Sequence, residues 1–257
     1  MTSRRRRCAL LLAALALLTL SGCKVSGAAA APAAPQASAL LPPVPPTSSP
    51  TIAGAHQAEY VYPITADIDT VVVNGGAANI WVYGSDRSDV KVVAKTAYSA
   101  TPPAITRAIS GATLTVGYTC LAQTACGVAL DIYVPNGTAV QTATSTGSTW
   151  LIKVSGPVTA TAQAGFIGAL GLTSQTANFS TQEGGMDVKF AVPPSHVTVG
   201  TRAGYITVAV PQTVAYNVTV AATMGYADIT VPQNTLSART ISVGTGFGSV
   251  NIVPSPD

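Results

Sequence analysis

Charged side chains are scarce in this sequence. Lys, Arg, Asp and Glu make up 9% of the 257 residues, and the 13 basic residues include Arg4, Arg5, Arg6 and Arg7. Without those four arginines, nine basic residues stand against ten acidic ones, a net charge near −1. Nucleic-acid binding needs a clustered positive surface that releases counterions, so this composition argues against a nucleic-acid partner.

Histidine is nearly absent as well, with only His56 and His196 in the chain. A Ser-His-Asp site needs a base held between a carboxylate and a nucleophile, and the sequence has no GxSxG nucleophile elbow. The GTGFG stretch at 244–248 has no helix-forming segment after it, so it lacks the helix N-terminus that binds phosphate. We therefore expect no catalytic residues, no metal site and no cofactor.

The one long apolar run of the sequence lies near the amino terminus. It reads MTSRRRRCALLLAALALLTLSGC, in which arginines precede an apolar segment too short to span a bilayer. The end of this run, Leu20-Ser21-Gly22-Cys23, resembles the lipobox of bacterial lipoproteins. The resemblance implies a signal peptide over 1–22, lipid attached to Cys23 and a protein held on the extracytoplasmic face of the cell membrane.

The remaining cysteines are few. Cys8 would leave with the signal peptide, so Cys120 and Cys126 form the only pair available to the exported chain. They stand six residues apart between two alternating apolar runs, without CxxC spacing or a nearby histidine. This pattern predicts a disulfide that closes a hairpin loop.

Large apolar residues are sparse from 23 to 58, where Ala, Pro and Ser dominate, as in LLPPVPPTSSP at 40–50. Such a segment cannot offset its ordering entropy by burial. We expect a disordered tether over 23–58 and one folded domain over 59–257.

Helical periodicity is missing from that domain, which is rich in β-branched residues, Gly and Thr. Alternating runs predict strands, and a glycine followed by apolar residues at alternate positions recurs about every 20 residues. The aligned glycines are Gly184, Gly204, Gly225 and Gly246, with an earlier copy at Gly76.

This period predicts an all-β fold, a stacked β-solenoid or β-roll in which each winding is too small to bury its apolar face alone. In this register Val208, Ile229 and Val250 lie above one another in one interior. Short alternating strands also suit a β-sandwich, which is the alternative architecture.

A family resemblance covers most of this region. TVVVNGGAANIWVYG with DVKVVAKTAY, then LDIYVPNGTAVQTATSTG at 130–147 and the Gly-led repeats, resemble the bacterial putative-adhesin family of Gly-repeat β domains. The resemblance implies a non-enzymatic adhesive role and supplies no catalytic motif.

Two sets of outward-facing residues are candidate functional groups. Tyr205, Tyr226 and Phe247 follow the aligned glycines directly, and Trp81 points outward in the early copy, so they are candidate ligand-binding residues or sheet-stabilising rings. Asp187 and Asp228 lie two windings apart in this register, which allows a polysaccharide-acting enzyme as the alternative function.

The favoured hypothesis is a lipid-anchored adhesive or scaffolding module without catalytic activity. Its expected partners are the membrane, through the lipid on Cys23, and either cell-wall polysaccharide or a surface protein. An envelope sensor is a further alternative, for which the sequence offers no signalling segment.

Overall fold

A computed structural model describes residues 49–255, except residues 51, 53, 54 and 122–124. The predicted signal peptide, Cys23 and nearly all of the tether lie outside the described residues. The described part consists of strands and turns, which confirms the all-β prediction. No helix in it has the length and apolar character that crossing a bilayer requires.

Strands of alternating inward and outward residues follow one another along the whole described chain. In chain order they are β1 (His56–Ile64), β2 (Thr70–Gly76), β3 (Asn79–Ser85), β4 (Val90–Tyr98), β5 (Ala104–Ser110), β6 (Thr113–Thr119), β7 (Cys126–Pro135), β8 (Ala139–Thr146), β9 (Thr149–Ile152), β10 (Val158–Ala164), β11 (Ile167–Leu172), β12 (Thr176–Glu183), β13 (Met186–Phe190), β14 (His196–Ala203), β15 (Ile206–Val210), β16 (Asn217–Ile229) and β17 (Thr240–Pro254).

Most neighbouring strands pair in parallel, in the manner of a solenoid rather than a sandwich. The first sheet has the order β5, β6, β2, β8, β10, β12, β14, β17, β16. The second sheet has the order β1, β4, β7, β3, β9, β11, β13, β15, β17, β16. The long strands β16 and β17 pass through both sheets and join them.

One hydrophobic core lies between the two sheets. Its members are the inward residues of every winding, such as Val140 in the first sheet and Leu151 in the second, both fully buried. Each such side chain contributes about 1.5–3 kcal/mol when it leaves water, so windings that could not fold singly stabilise one another.

A column of glycines forms the corner where the chain passes from the first sheet to the second. Each has a positive φ, between 117° and 156°, and a Cβ on each after the first would collide with the carbonyl oxygen of the preceding glycine in the column. Only glycine fits such a column. In spatial order its members are Gly147, Gly165, Gly184, Gly204, Gly248 and Gly225.

The last winding departs from the predicted register. β17 lies between β15 and β16, so the chain returns inside its penultimate winding. The corner glycine is therefore Gly248 rather than Gly246. Val208 and Ile229 both neighbour Ile252, while Val250 pairs with Ile206 and Ala227, so the predicted stack of Val208, Ile229 and Val250 is wrong in detail although all lie at the same interior.

The disulfide between Cys120 and Cys126 is confirmed, with Cα atoms 6.1 Å apart. It does not close a hairpin, because β6 belongs to the first sheet and β7 to the second. The disulfide instead spans the corner of the winding that β6 and β7 form. At the same end of the body, β1 begins at His56, inside the segment predicted as tether.

Candidate functional site: an aromatic track on the second sheet

Aromatic side chains follow the outer face of the second sheet from β7 to β16. Parallel strands in register place residues of equal distance from the corner in one row. From β7 to β16 the sheet makes seven inter-strand steps, about 34 Å in all. We call these residues the aromatic track: Tyr133, Tyr83, Trp81, Trp150, Phe166, Tyr205 and Tyr226.

Two tryptophans form the centre of the track. Trp81 of β3 pairs with Trp150 of β9, and both are outward residues, yet they are only 1% and 3% exposed. They pack with Ala129, and partly buried rings such as Phe166, 5.1 Å from Trp150 between centroids, surround them. Trp81, a predicted ligand-binding residue, therefore lies inside this cluster rather than on its surface.

Two stacked tyrosines continue the track toward β7. The rings of Tyr83 and Tyr133 are stacked with centroids 4.9 Å apart, and Lys91 Nζ lies 4.1 Å from the centroid of Tyr133. Burial, followed by the negative charge of Asp131, raises the pKa of Tyr83 to about 12. The hydroxyl is neutral at physiological pH, as that of an ordinary tyrosine is, and the raised pKa keeps it a hydrogen-bond donor at alkaline pH as well.

The opposite half of the track surrounds a carboxylate, Asp187 of β13. The Trp150 ring covers Gly168, the residue paired with Asp187, and the Tyr205 ring covers Gly185. A Cβ at Gly168 would collide with the buried Trp150 ring, and a Cβ at Gly185 would displace the more exposed Tyr205 ring. Asp187 thus lies on the outer sheet surface between the Trp150 ring and the Tyr205 ring.

Burial raises the pKa of the Asp187 carboxyl, and nearby Lys189 offsets this only in part. Lys189 Nζ stands 3.5 Å from Asp187 Oδ2, while Asp187 Oδ1 is buried and has no hydrogen-bond donor in the described part of the chain. An ionisable group held in this way is typical of functional sites.

The prediction that Tyr205, Tyr226 and Phe247 form one row is wrong for Phe247, as the strand register shows. Ser249 occupies the position between Tyr205 and Tyr226 in the row. Phe247 pairs instead with Ala203 and Met224, before the corner. The three rings are similarly exposed, 49%, 65% and 54% respectively, but Phe247 is outside the track.

The predicted acid pair is also further apart than the sequence implied. Asp187 and Asp228 share a row, but Thr207 and Asn251 both stand between them. Three inter-strand steps separate them by about 14 Å. Glycosidases place their two carboxyls roughly 5 to 9.5 Å apart, so this pair cannot act on one glycosidic bond.

The outer face of the first sheet has a different composition. Its outward residues on β2, β8, β10, β12 and β14 are mostly Thr, Asn, Ser, Gln and small residues, without Phe, Tyr or Trp. His196 lies on this face, with Nδ1 3.0 Å from Thr240 Oγ1, far from Asp187 in sheet order. No group of three or more His, Cys, Asp or Glu residues with metal-binding geometry occurs among the described residues.

Sequence reasoning missed most of the aromatic track. Phe166 follows the corner glycine Gly165 directly, as Tyr205 follows Gly204, and this signal was available. Trp150 stands three residues after Gly147 and so falls in the row of Asp187. Tyr83 and Tyr133 lie on strands whose neighbours in space are distant in sequence, and only the tertiary pairing brings them together.

No protein-family model and no curated protein matches this chain. Among solved structures, it is similar to a putative cell adhesion protein from Clostridium sporogenes, with 14% identity over 77% of this chain and 100% of that one and a TM-score of 0.42.

Two further structures are similar at a lower level. For a putative adhesin from Bacteroides fragilis the identity is 12%, the coverage 77% and 97%, and the TM-score 0.36. For one from Parabacteroides merdae these values are 10%, 74% and 95%, and 0.33. The names agree with the family resemblance seen in the sequence, but likenesses this low carry no argument about what the chain binds.

Proposed function

We propose that this protein is a non-catalytic adhesive module that binds polysaccharide of the cell envelope along the aromatic track. The observation that carries the proposal is the concentration of aromatic rings on the outer face of the second sheet, while the outward residues of β2, β8, β10, β12 and β14 in the first sheet include no Phe, Tyr or Trp. Rings that served only to stabilise strands would be expected on both faces. Aromatic faces stack on sugar rings, and a track along the solenoid axis suits a linear polymer.

The carboxylate in the track gives the polymer a polar contact. Asp187 Oδ1 is buried without a donor in the described part of the chain, and buried acceptors are normally satisfied. In the proposal, the exposed Tyr205 ring moves aside when the polymer binds, and a sugar hydroxyl then donates to this oxygen. The rings would then supply affinity and Asp187 the orientation.

The test compares a change within the track with a matched change outside it. Tyr205→Ser combined with Tyr226→Ser removes the two most exposed rings of the track, whereas Phe247→Ser removes an equally exposed ring outside it. Binding to insoluble peptidoglycan and to insoluble chitin is measured by co-sedimentation. At about 0.5–1.5 kcal/mol for each ring, the double variant should bind roughly tenfold or more weakly.

The Phe247→Ser variant should bind as the native chain does. Circular dichroism melting curves check that each variant is folded. Equal loss in both variants would show that general surface hydrophobicity, and not the track, retains the protein on the polymer. Undiminished binding by a folded double variant would remove the track from consideration.

We further propose that lipid on Cys23 holds the module on the extracytoplasmic face of the membrane. The supporting observation is the LSGC sequence after an apolar run. Radiolabelled palmitate fed to expressing cells should appear in the native protein and not in Cys23→Ser. A Cys23→Ser protein that is labelled equally and stays with the membrane fraction would contradict this proposal.

A further inference from the structure

The two ends of the solenoid are built differently. At one end β5 pairs antiparallel with β6, and β1 and β4 pair antiparallel beside β7. Arg107 of β5 stacks 3.6 Å over the ring of Tyr62 in β1, so the end strands of the two sheets contact each other. Charge, proline and antiparallel closure are devices that block further strand pairing, and Pro63 in β1 adds to them.

The opposite end is β16, and its apolar residues are not covered. The inward side chains of Val218, Val220 and Ile229 are only partly buried, whereas Ile241 and Ile252, on the neighbouring β17, are 1% and 0% exposed. No strand in the described part of the chain pairs with the far side of β16. The interior of the solenoid is therefore open at this end.

The backbone of β16 is equally unsatisfied along that edge. Asn217 N–H donates to Arg239 C=O, and β16 pairs in parallel with β17 as far as Ile229. In a parallel ladder only alternate residues bond to a given neighbour. The N–H and C=O groups of Val218, Val220 and Ala222 consequently point away from β17, along the open edge, where another strand can add.

The charge pattern of this edge fits a second copy of the same chain. From Asn217 to Ala227 the strand has no charged residue, and Asp228 is its only one. Such an edge offers no counter-charge to a charged partner, whereas two copies related by a two-fold axis match a neutral edge to a neutral edge. The half-open core of one copy then continues into the half-open core of the other.

We propose that two copies of this chain pair end to end through their β16 edges, antiparallel, to form a closed dimer. Each sheet continues across the interface, and the Arg107 and Tyr62 end of each copy faces outward. Because that end is blocked, assembly stops at two copies and does not proceed to a filament. The dimer doubles the length of the aromatic track, but its formation does not depend on any ligand.

The oligomeric state of the full-length chain with Cys23→Ser, in mild detergent, tests this inference by sedimentation velocity over a range of concentrations. Ala222→Pro removes an edge-facing N–H without touching the ladder to β17. Since the change occurs in both copies, two hydrogen bonds are lost. The dimer dissociation constant should rise by about 100-fold.

Two lysine variants provide a second, matched comparison in case proline disturbs folding. Ala227→Lys places a charge on the exposed β16 edge, and Ala108→Lys places one on the exposed β5 at the blocked end. Ala227→Lys should be monomeric and Ala108→Lys dimeric. A native chain that is monomeric, one that forms larger assemblies, or a folded Ala222→Pro or Ala227→Lys protein that remains dimeric would each overturn the inference.

Discussion

Single residues set the geometry of the corner. Gly204 has a φ of 147°, and a Cβ there would collide with the backbone of Gly184. The column tolerates no side chain because the neighbouring winding lies directly against it, at the spacing that strand pairing fixes. The corner glycines are thus required by packing as well as by backbone conformation.

Gly204→Ala should lower the free energy of unfolding by about 3 kcal/mol or more, since it combines backbone strain with a collision that only movement of a winding relieves. Gly200→Ala is the matched control, because a Cβ on this strand glycine would make only an ordinary contact, 4.0 Å from the carbonyl oxygen of Gly244. Urea denaturation measures both. Similar stabilities for the two variants would contradict the role of the column.

Asp187 lowers the stability of the folded state when it is ionised, and its raised pKa reports this. Burial raises its pKa above the unfolded value of 3.8, so the folded state binds more protons than the unfolded state between these two pKa values. The free energy of unfolding therefore falls as pH rises from the unfolded pKa to the folded pKa. Above the folded pKa it stays at this lower value. A chain that keeps such a carboxylate is sacrificing stability at this position, as binding sites commonly do.

Asp187→Asn should accordingly be more stable than the native chain at about pH 7, with the gain disappearing near pH 2.5, below both pKa values. Denaturation midpoints at the two pH values measure the difference. An equal gain at both would show that the effect of the substitution is not electrostatic.

At the scale of elements, the winding of β6 and β7 uses a disulfide at its corner where other windings use glycine. This winding lies near the blocked end, where β7 is flanked by the antiparallel β4 rather than by another parallel winding. The covalent link compensates for the missing stack of corner glycines on that side.

Replacing both Cys120 and Cys126 by Ser should lower the free energy of unfolding by about 2 kcal/mol, because the loop that the disulfide closes is short. The native chain in reducing buffer should show the same loss, and reducing agent should leave the double variant unchanged. Equal stability of native and double-variant chains would mean that the corner is held by pairing alone.

For the molecule as a whole, the last two windings depend on each other to fold, because β17 lies between β15 and β16. β16 has β17 as its only neighbour in either sheet of the described chain, so it has no place to pack until β17 is inserted. The end of the solenoid therefore forms in one step that involves both windings.

A chain truncated after residue 239 should lose protection in β16 as well as lacking β17. Hydrogen exchange should find the amides of 217–229 as unprotected as those of an unfolded peptide. A chain truncated after Pro211 should keep its remaining windings protected and serves as the control. Protected amides in 217–229 of the longer truncation would show that β16 can pair directly with β15.

The sequence alone determined the all-β class, the disulfide partners and three of the six corner glycines, and it favoured the solenoid, because alternation and glycine conformation are local properties that each winding repeats. The tertiary structure decided what depends on the order of windings in space. It placed Gly248 instead of Gly246 in the column, moved Phe247 out of the row, separated Asp187 from Asp228, and brought Trp81 beside Trp150. Hydrogen bonds between windings decide which strands are neighbours. When β17 inserts between β15 and β16, the neighbours of all three strands change, although the local sequence pattern of each strand stays the same.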